Sequence, residues 1–168
     1  MRIPVFVSAP TTLSAVQDDT YNAVGKTLDE LGLERRALGK SDYPSDLPVT
    51  EVMQIARRCS GGIILGFAQF IARAGVSKPA TPHERQAQDV PFPTPWNHLE
   101  AGILFSLRLP ILVFKEPGIS GGVFDHGVSD VFIHDMPNAK DLTNPDHSVR
   151  EVLLKWQARV RVHYYEWK

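Results

Sequence analysis

Glu100 is the residue whose place in the sequence most suggests chemistry. A helix is predicted over residues 95–107, because a threonine followed by a proline suits its N-cap and first position. Glu100 lies four residues after Trp96 and three before Ile103, inside the apolar stripe of that helix. An unpaired carboxylate is costly to bury, so Glu100 should be paired, protonated or open to a cleft. It is then either an acid bound to an arginine or a backbone amide, or a cleft carboxylate with Trp96 and Asn97 as neighbouring substrate contacts.

A single carboxylate beside an aromatic ring and an amide suits the cleavage of an N-glycosidic bond. The transition state of that reaction resembles an oxocarbenium ion, which a carboxylate can stabilise, or trap by attacking the anomeric carbon. Trp96 would then stack on the base or on the ribose. Burial would raise the pKa of Glu100 and a helix N-terminus would lower it, so the sequence leaves its protonation state open.

Strand-like and helix-like segments alternate along the whole chain. This alternation predicts one α/β domain over residues 1–168, with a five-stranded parallel sheet covered by helices on both faces. Five such strands most naturally take the flavodoxin-like order 2-1-3-4-5, in which ligands bind beyond the carboxyl ends of the strands. The predicted strands lie near residues 3–7, 33–38, 61–66, 110–114 and 131–133, and the predicted helices near residues 15–31, 50–59, 95–107 and 146–164.

Because ligands bind beyond the carboxyl ends of the strands, we expect four segments at that end of the sheet to form a candidate ligand site. The loop after the first strand could offer hydroxyls and amides to a phosphate or a ribose, although it lacks the glycine motifs of dinucleotide and phosphate loops. A glycine pair after the fourth strand would let the backbone approach a ligand, and Phe124 beside it could stack on a base. The predicted substrate-binding residues are Ser8, Pro10, Thr11, Gly66, Phe67, Trp96, Asn97, Gly122, Phe124 and Asp125.

Residues 67–93 form a long segment without a clean helical or strand period. The segment contains four prolines and mixed charges, and it leads directly into the predicted helix of Glu100. Long irregular loops in compact domains are usually functional or disordered, so we expect an insertion that acts as a flap or a subunit contact.

Composition narrows the classes of partner. The chain has 168 residues, of which 43% are hydrophobic and 22% charged, and its net charge is −1. These values are typical of a soluble globular protein and give no overall attraction to nucleic acid or anionic lipid. One cysteine and no run of 18 apolar residues favour a cytoplasmic protein without a membrane span. The six histidines are dispersed, and no metal site is predicted.

The segment from Trp96 to Val113 resembles that of nucleoside 2-deoxyribosyltransferases, in which a Glu-x-Gly on a helix is followed by small residues, a proline and a strand. It is also similar to the TIR-type helix whose glutamate acts in the cleavage of NAD. The resemblance implies that Glu100 matches the catalytic glutamate and that Trp96 and Asn97 match substrate-adjacent positions. It also implies a homo-oligomer that completes its sites between subunits, and no cofactor, with NAD only a candidate substrate. Residues 93–95 depart from the Asp-Gly-Thr of many deoxyribosyltransferases.

Three hypotheses follow from the sequence. The leading one is an enzyme that breaks or exchanges the N-glycosidic bond of a nucleoside, a nucleotide or NAD, with Glu100 as its catalytic carboxylate. The second is a non-catalytic nucleotide-binding or signalling module in which Glu100 accepts a hydrogen bond from a ribose hydroxyl. The third is a protein-interaction domain that assembles through residues 67–93 and the aromatic C-terminal segment. The sequence does not choose between hydrolysis and transfer.

Overall fold

A parallel sheet of five strands carries the elements of the chain. The computed structural model describes residues 2–38, 47–127 and 132–166. Its elements in chain order are β1 (Ile3–Ser8), α1 (Ala15–Glu30), β2 (Leu33–Arg36), α2 (Pro48–Arg58), β3 (Gly62–Gly66), β4 (Phe70–Ser77), β5 (Arg85–Phe92), α3 (Pro95–Ser106), β6 (Ile111–Lys115), β7 (Phe132–Asp135), α4 (Ala139–Thr143) and α5 (Ser148–Glu166).

The strands of the large sheet lie in the order β2-β1-β3-β6-β7, and every neighbouring pair is parallel. The α/β class and the five-stranded parallel sheet are therefore confirmed. The predicted order 2-1-3-4-5 agrees for the first three strands, and its last two numbers differ because β4 and β5 form a sheet of their own.

Alternating side chains of the central strands supply two cores, one on each face of the sheet. Val5 packs with Leu28 of α1 and Trp156 of α5 in the first core. Phe6, the next residue along β1, packs with Leu104 of α3 in the second core, which α2 also joins. Because α3 lies on this second face, its first turn stands beside the carboxyl end of β1.

Residues 67–93 are not an irregular loop, so the expected lack of regular structure was wrong, whereas the expected role as a flap or a subunit contact stays a prediction. They contain an antiparallel hairpin in which Phe70 pairs with Phe92 at the root and Ser77 pairs with Arg85 near the tip. The alternation that marks a strand is hard to see here, because both faces of the hairpin are largely exposed and a proline, Pro91, interrupts the second strand. Two edge strands tolerate such a proline, since each strand has only one partner.

Smaller differences concern the ends of elements. The short helix α4 was not predicted, and α5 begins at Ser148 rather than at residue 146. Val131, the first residue of the last predicted strand, lies outside the described residues, and β7 begins at Phe132. No helix in the described part of the chain is long and apolar enough to cross a membrane.

Candidate functional site

The first turns of α3 bring a polar pair to the sheet. The Thr94 hydroxyl accepts a hydrogen bond from the Trp96 amide at 3.3 Å, which starts the helix just beyond the carboxyl end of β1. Asn97 and Glu100, one turn apart, face inward and are 0% and 8% exposed. Trp96 is 40% exposed, so the buried face is rotated from the predicted stripe and passes through Asn97 rather than Trp96. The polar contact of Asn97 with β1 favours this orientation.

The Glu100 carboxyl group borders a cleft and is not buried in an ion pair with any described residue. The cleft has a volume of about 460 Å³ and lies between the loop after β1, the root of the hairpin and the start of α3. Glu100 is the one carboxylate among the described residues that line it, and no ion pair to Glu100 occurs within the described ranges. The lining residues are Ala9, Pro10, Thr11, Thr12, Leu38, Gln69, Phe70, Pro93, Thr94, Pro95, Trp96 and Glu100.

Burial sets the charge state of Glu100. Loss of solvent around the carboxyl group raises its pKa from 4.5 to about 7, and a hydrogen bond with the Ser8 side chain opposes this rise by a smaller amount. At neutral pH the protonated and ionised forms are thus present in comparable amounts. A carboxyl group in this condition can give or accept a proton, or act as a nucleophile, without a large change in pH.

Ser8 and Asn97 form the buried support of this carboxyl group. The Asn97 side-chain amide donates to the Ser8 hydroxyl oxygen at 2.7 Å and also approaches the carbonyl oxygen of Leu65 at 3.4 Å. Ser8 is 1% exposed at the end of β1. The side-chain oxygen of Asn97 is buried without a hydrogen-bond partner among the described residues. The site therefore joins a polar residue from β1 to two from α3 at the carboxyl edge of the sheet.

The fold of this chain has a counterpart among solved structures. The fold is similar to that of BcmB, a CMP N-glycosidase from Clostridium botulinum. The similarity covers 90% of this chain and 98% of BcmB, with a TM-score of 0.54 and 14% sequence identity. At this identity BcmB shows the fold alone.

A diflavin flavoprotein A3 from Nostoc sp. is also similar, over 97% of both chains, at 12% identity and a TM-score of 0.42. No family model matches the sequence. No curated protein matches it either.

Four of the eleven predicted site residues line the cleft. Pro10, Thr11 and Trp96 line it with Glu100, as the topology rule predicted. Ser8 and Asn97 lie behind Glu100 and reach the cleft only through it, because both side chains are almost completely buried. The structure places these two side chains in contact with each other on the inner side of Glu100.

The other predicted contacts lie in the protein interior or in a separate loop. Phe124 is 0% exposed and has no ring face to offer a base. Gly66 faces it, since a Cβ at residue 66 would stand 2.5 Å from the Phe124 ring. Phe67 is also buried, and Asp125 accepts a hydrogen bond from the Gly121 amide within its own loop.

The geometry of the loop after β6 requires a glycine at residue 122. It has a φ of +56°, and a Cβ there would stand 2.9 Å from the His98 ring. A side chain at this position would be strained and would collide with α3. The glycine pair therefore closes a tight loop against α3 and does not border the cleft.

Phe70 and Gln69 are cleft residues that the sequence analysis missed. Both belong to the root of the hairpin, which the sequence presented as an irregular segment. The signal that could have found them is the pair Phe70 and Phe92 at the two ends of residues 67–93, which would mark the root of a hairpin. Within the described ranges, no group of three or more His, Cys, Asp or Glu residues is placed to hold a metal ion.

Proposed function

We propose that this chain cleaves or transfers the N-glycosidic bond of a nucleoside or nucleotide, with Glu100 as the essential carboxylate. The observation that supports this function is the position of Glu100, an inward-facing carboxyl group that borders a cleft of about 460 Å³ beside two exposed aromatic rings. The shared fold with a CMP N-glycosidase makes a pyrimidine nucleotide the first substrate to test. NAD is a further candidate substrate, and no bound cofactor is needed.

The ionised form of Glu100 performs the first step. Its oxygen attacks the anomeric carbon, or stabilises positive charge there, while the bond to the base breaks and the base leaves with the electron pair and takes up a proton from water. Water completes hydrolysis by bonding to the anomeric carbon and giving up a proton, and it displaces the carboxylate where that bond has formed; a second base completes transfer in the same way. With a pKa of about 7, Glu100 is ionised often enough at neutral pH for the first step.

The walls of the cleft fit a flat base attached to a sugar. Phe70 and Trp96 are 65% and 40% exposed and line the same cleft, so their ring faces are open to stack on a base. Thr11 and Thr12 supply hydroxyl groups on the side of β1, where a ribose or a phosphate could be bound. Because no Lys or Arg occurs among the described lining residues, comparing a nucleoside with its 5′-monophosphate directly tests whether the phosphate contributes.

The function is tested by incubating the purified chain with CMP, cytidine, their 2′-deoxy forms, the corresponding purine compounds and NAD. Free base or nicotinamide is measured by chromatography. The wild-type chain should release one of these bases, and Glu100→Gln should lower the rate by a factor of about 100 or more, in the range seen when one essential group is removed. Glu151→Gln is the matched control, because its side chain is 77% exposed on α5, away from the cleft.

Adding a second free base separates hydrolysis from transfer, since a transferase forms a new nucleoside and a hydrolase forms the free sugar. Unchanged turnover in Glu100→Gln would reject the catalytic role of this residue. Calorimetric binding of a nucleotide without any product would instead favour the non-catalytic nucleotide-binding hypothesis.

A further inference from the structure

The hydrogen bonds behind Glu100 have a defined direction. The carbonyl group of Leu65 can only accept a hydrogen bond, so the group of Asn97 that approaches it is the NH₂ group and not the side-chain oxygen. The same NH₂ group donates to the Ser8 hydroxyl oxygen at 2.7 Å. A hydroxyl group has one proton, and this contact with a donor turns that proton away from Asn97. The Ser8 proton is therefore available to a second group, and the Ser8 side chain lies near enough to Glu100 to lower the pKa of its carboxyl group.

We infer that Ser8 and Asn97 are positioning residues that act through Glu100. The Asn97 amide holds the Ser8 hydroxyl as a donor to the Glu100 carboxyl group, which favours the ionised form that the proposed reaction uses. This inference rests on the proposed function for its role in catalysis. The direction of the hydrogen bonds can be tested without any activity.

Burial makes this support effective. Ser8 is 1% exposed and Asn97 is 0% exposed, so water does not compete for either side chain. Hydrogen bonds to an ionised group are stronger than those between neutral groups, and they strengthen where water is excluded. Loss of the Ser8 donor should therefore change the ionisation of Glu100 measurably.

Within the described residues, no charged neighbour accounts for the shifted pKa of Glu100. Among the described residues, the causes that shift the pKa of Glu100 are burial, which raises it, and the Ser8 side chain, which lowers it. The titratable groups on α3 and on the described elements packed against it are His98 on α3, Glu51, Arg57 and Arg58 on α2, Lys115 on β6, and Asp125 beside the Gly122 turn.

The test measures the ionisation of Glu100 directly by carbon NMR. The full chain is labelled at the carboxyl carbons of its glutamate side chains, and the Glu100 signal is the one missing in Glu100→Gln. In the wild-type chain this signal should titrate with a midpoint near pH 7. In Ser8→Ala the midpoint should rise by about one pH unit, because a donor to the ionised form has been removed.

Three further variants separate donation from packing. Ser8→Thr keeps the hydroxyl and should restore a midpoint near that of the wild type. Asn97→Ala leaves the Ser8 hydroxyl free to turn elsewhere, so its midpoint should rise by less than in Ser8→Ala. Ser60→Ala is the control, because it removes another buried serine at the opposite edge of the sheet. The Ser60 backbone amide donates a hydrogen bond to the Pro4 carbonyl oxygen there, and the variant should leave the Glu100 midpoint unchanged.

An unchanged or lower midpoint in Ser8→Ala overturns the inference, and so does an equal rise in Ser60→Ala.

Activity measurements then test whether the ionisation of Glu100 controls the reaction. The acid limb of kcat/KM should move to higher pH together with the NMR midpoint in Ser8→Ala, whereas KM at high pH should stay the same. If the midpoints move as expected but no substrate is turned over, the support of Glu100 stands and the proposed function fails. If turnover occurs but the midpoint does not change when the Ser8 hydroxyl is removed, the proposed function stands and the inferred support of Glu100 fails.

Discussion

Replacing Glu100 by glutamine should stabilise the fold at alkaline pH and not at acid pH. Between its ordinary pKa of 4.5 and its folded value of about 7, Glu100 binds a proton in the folded chain and has already lost it in the unfolded chain. The free energy of unfolding therefore falls as the pH rises through this window. Below pH 4.5 Glu100 is protonated in both the folded and the unfolded chain, so it no longer lowers the free energy of unfolding.

The size of the effect follows from the pKa. Each pKa unit corresponds to about 1.4 kcal/mol, so ionised Glu100 costs the folded chain about 3 kcal/mol at pH 8 and above. For a chain of this length, about 1 kcal/mol moves Tm by about 2–4 °C. The Tm of Glu100→Gln should therefore exceed that of the wild type by about 6–12 °C more at pH 8.5 than at pH 4.

The measurement is calorimetric unfolding of both chains from pH 4 to pH 8.5. Packing changes caused by the glutamine amide are present at every pH, so they cancel when differences in Tm at two pH values are compared. Groups such as Tyr21 and His134, whose pKa values are also shifted by burial, titrate in both chains and cancel too. Glu151→Gln should show no such pH-dependent difference. A difference in Tm that is the same at every pH would refute the buried, raised-pKa carboxyl group.

The remaining predictions concern the walls of the site. Phe70→Ala and Trp96→Ala should each raise KM for the nucleotide substrate by about tenfold and lower kcat less, because ring stacking holds the base before and during the reaction; a fall in kcat alone would contradict this role. Gly66→Ala should destabilise the chain by about 1–3 kcal/mol in urea unfolding, because its Cβ would stand 2.5 Å from the Phe124 ring. A homo-oligomer remains a prediction, to be checked by sedimentation; a single species at the 18.7 kDa of one chain would contradict it.

The sheet was predictable because its three central strands, β1, β3 and β6, are nearly continuous apolar runs. Val5, Ile64 and Val113 lie between two helical layers, and buried parallel strands carry such runs on both faces. The hairpin was not predictable in this way. Phe70 and Val76 remain 65% and 46% exposed, so no burial pattern marks β4 as a strand.

The residues that line the cleft were predictable where their place depended on chain position, and not where it depended on the rotation of a helix. The topology rule placed the loop after β1 and the start of α3 at one edge of the sheet, and Thr11, Trp96 and Glu100 do meet there. Phe124 follows the carboxyl end of β6 at the same edge, yet it packs inward because Gly66 leaves space for its ring. Strand order gives the edge at which a residue lies, whereas packing decides whether its side chain faces the cleft or the core.

The spacing of Asn97 and Glu100 explains how one helix can both bury a carboxyl group and support it. Residues three apart lie on the same face of a helix, so the turn that brings Asn97 to Ser8 also brings Glu100 to the sheet. Burial alone would keep Glu100 protonated to a higher pH than it is with Ser8 beside it, and full exposure would leave it ionised but weakly basic. A buried carboxyl group beside the directed hydroxyl of Ser8 falls between these limits, with a pKa of about 7. Moving the acid to residue 99 would place it on a face that is 43% exposed at Leu99, where it would lose its burial and its contact with β1.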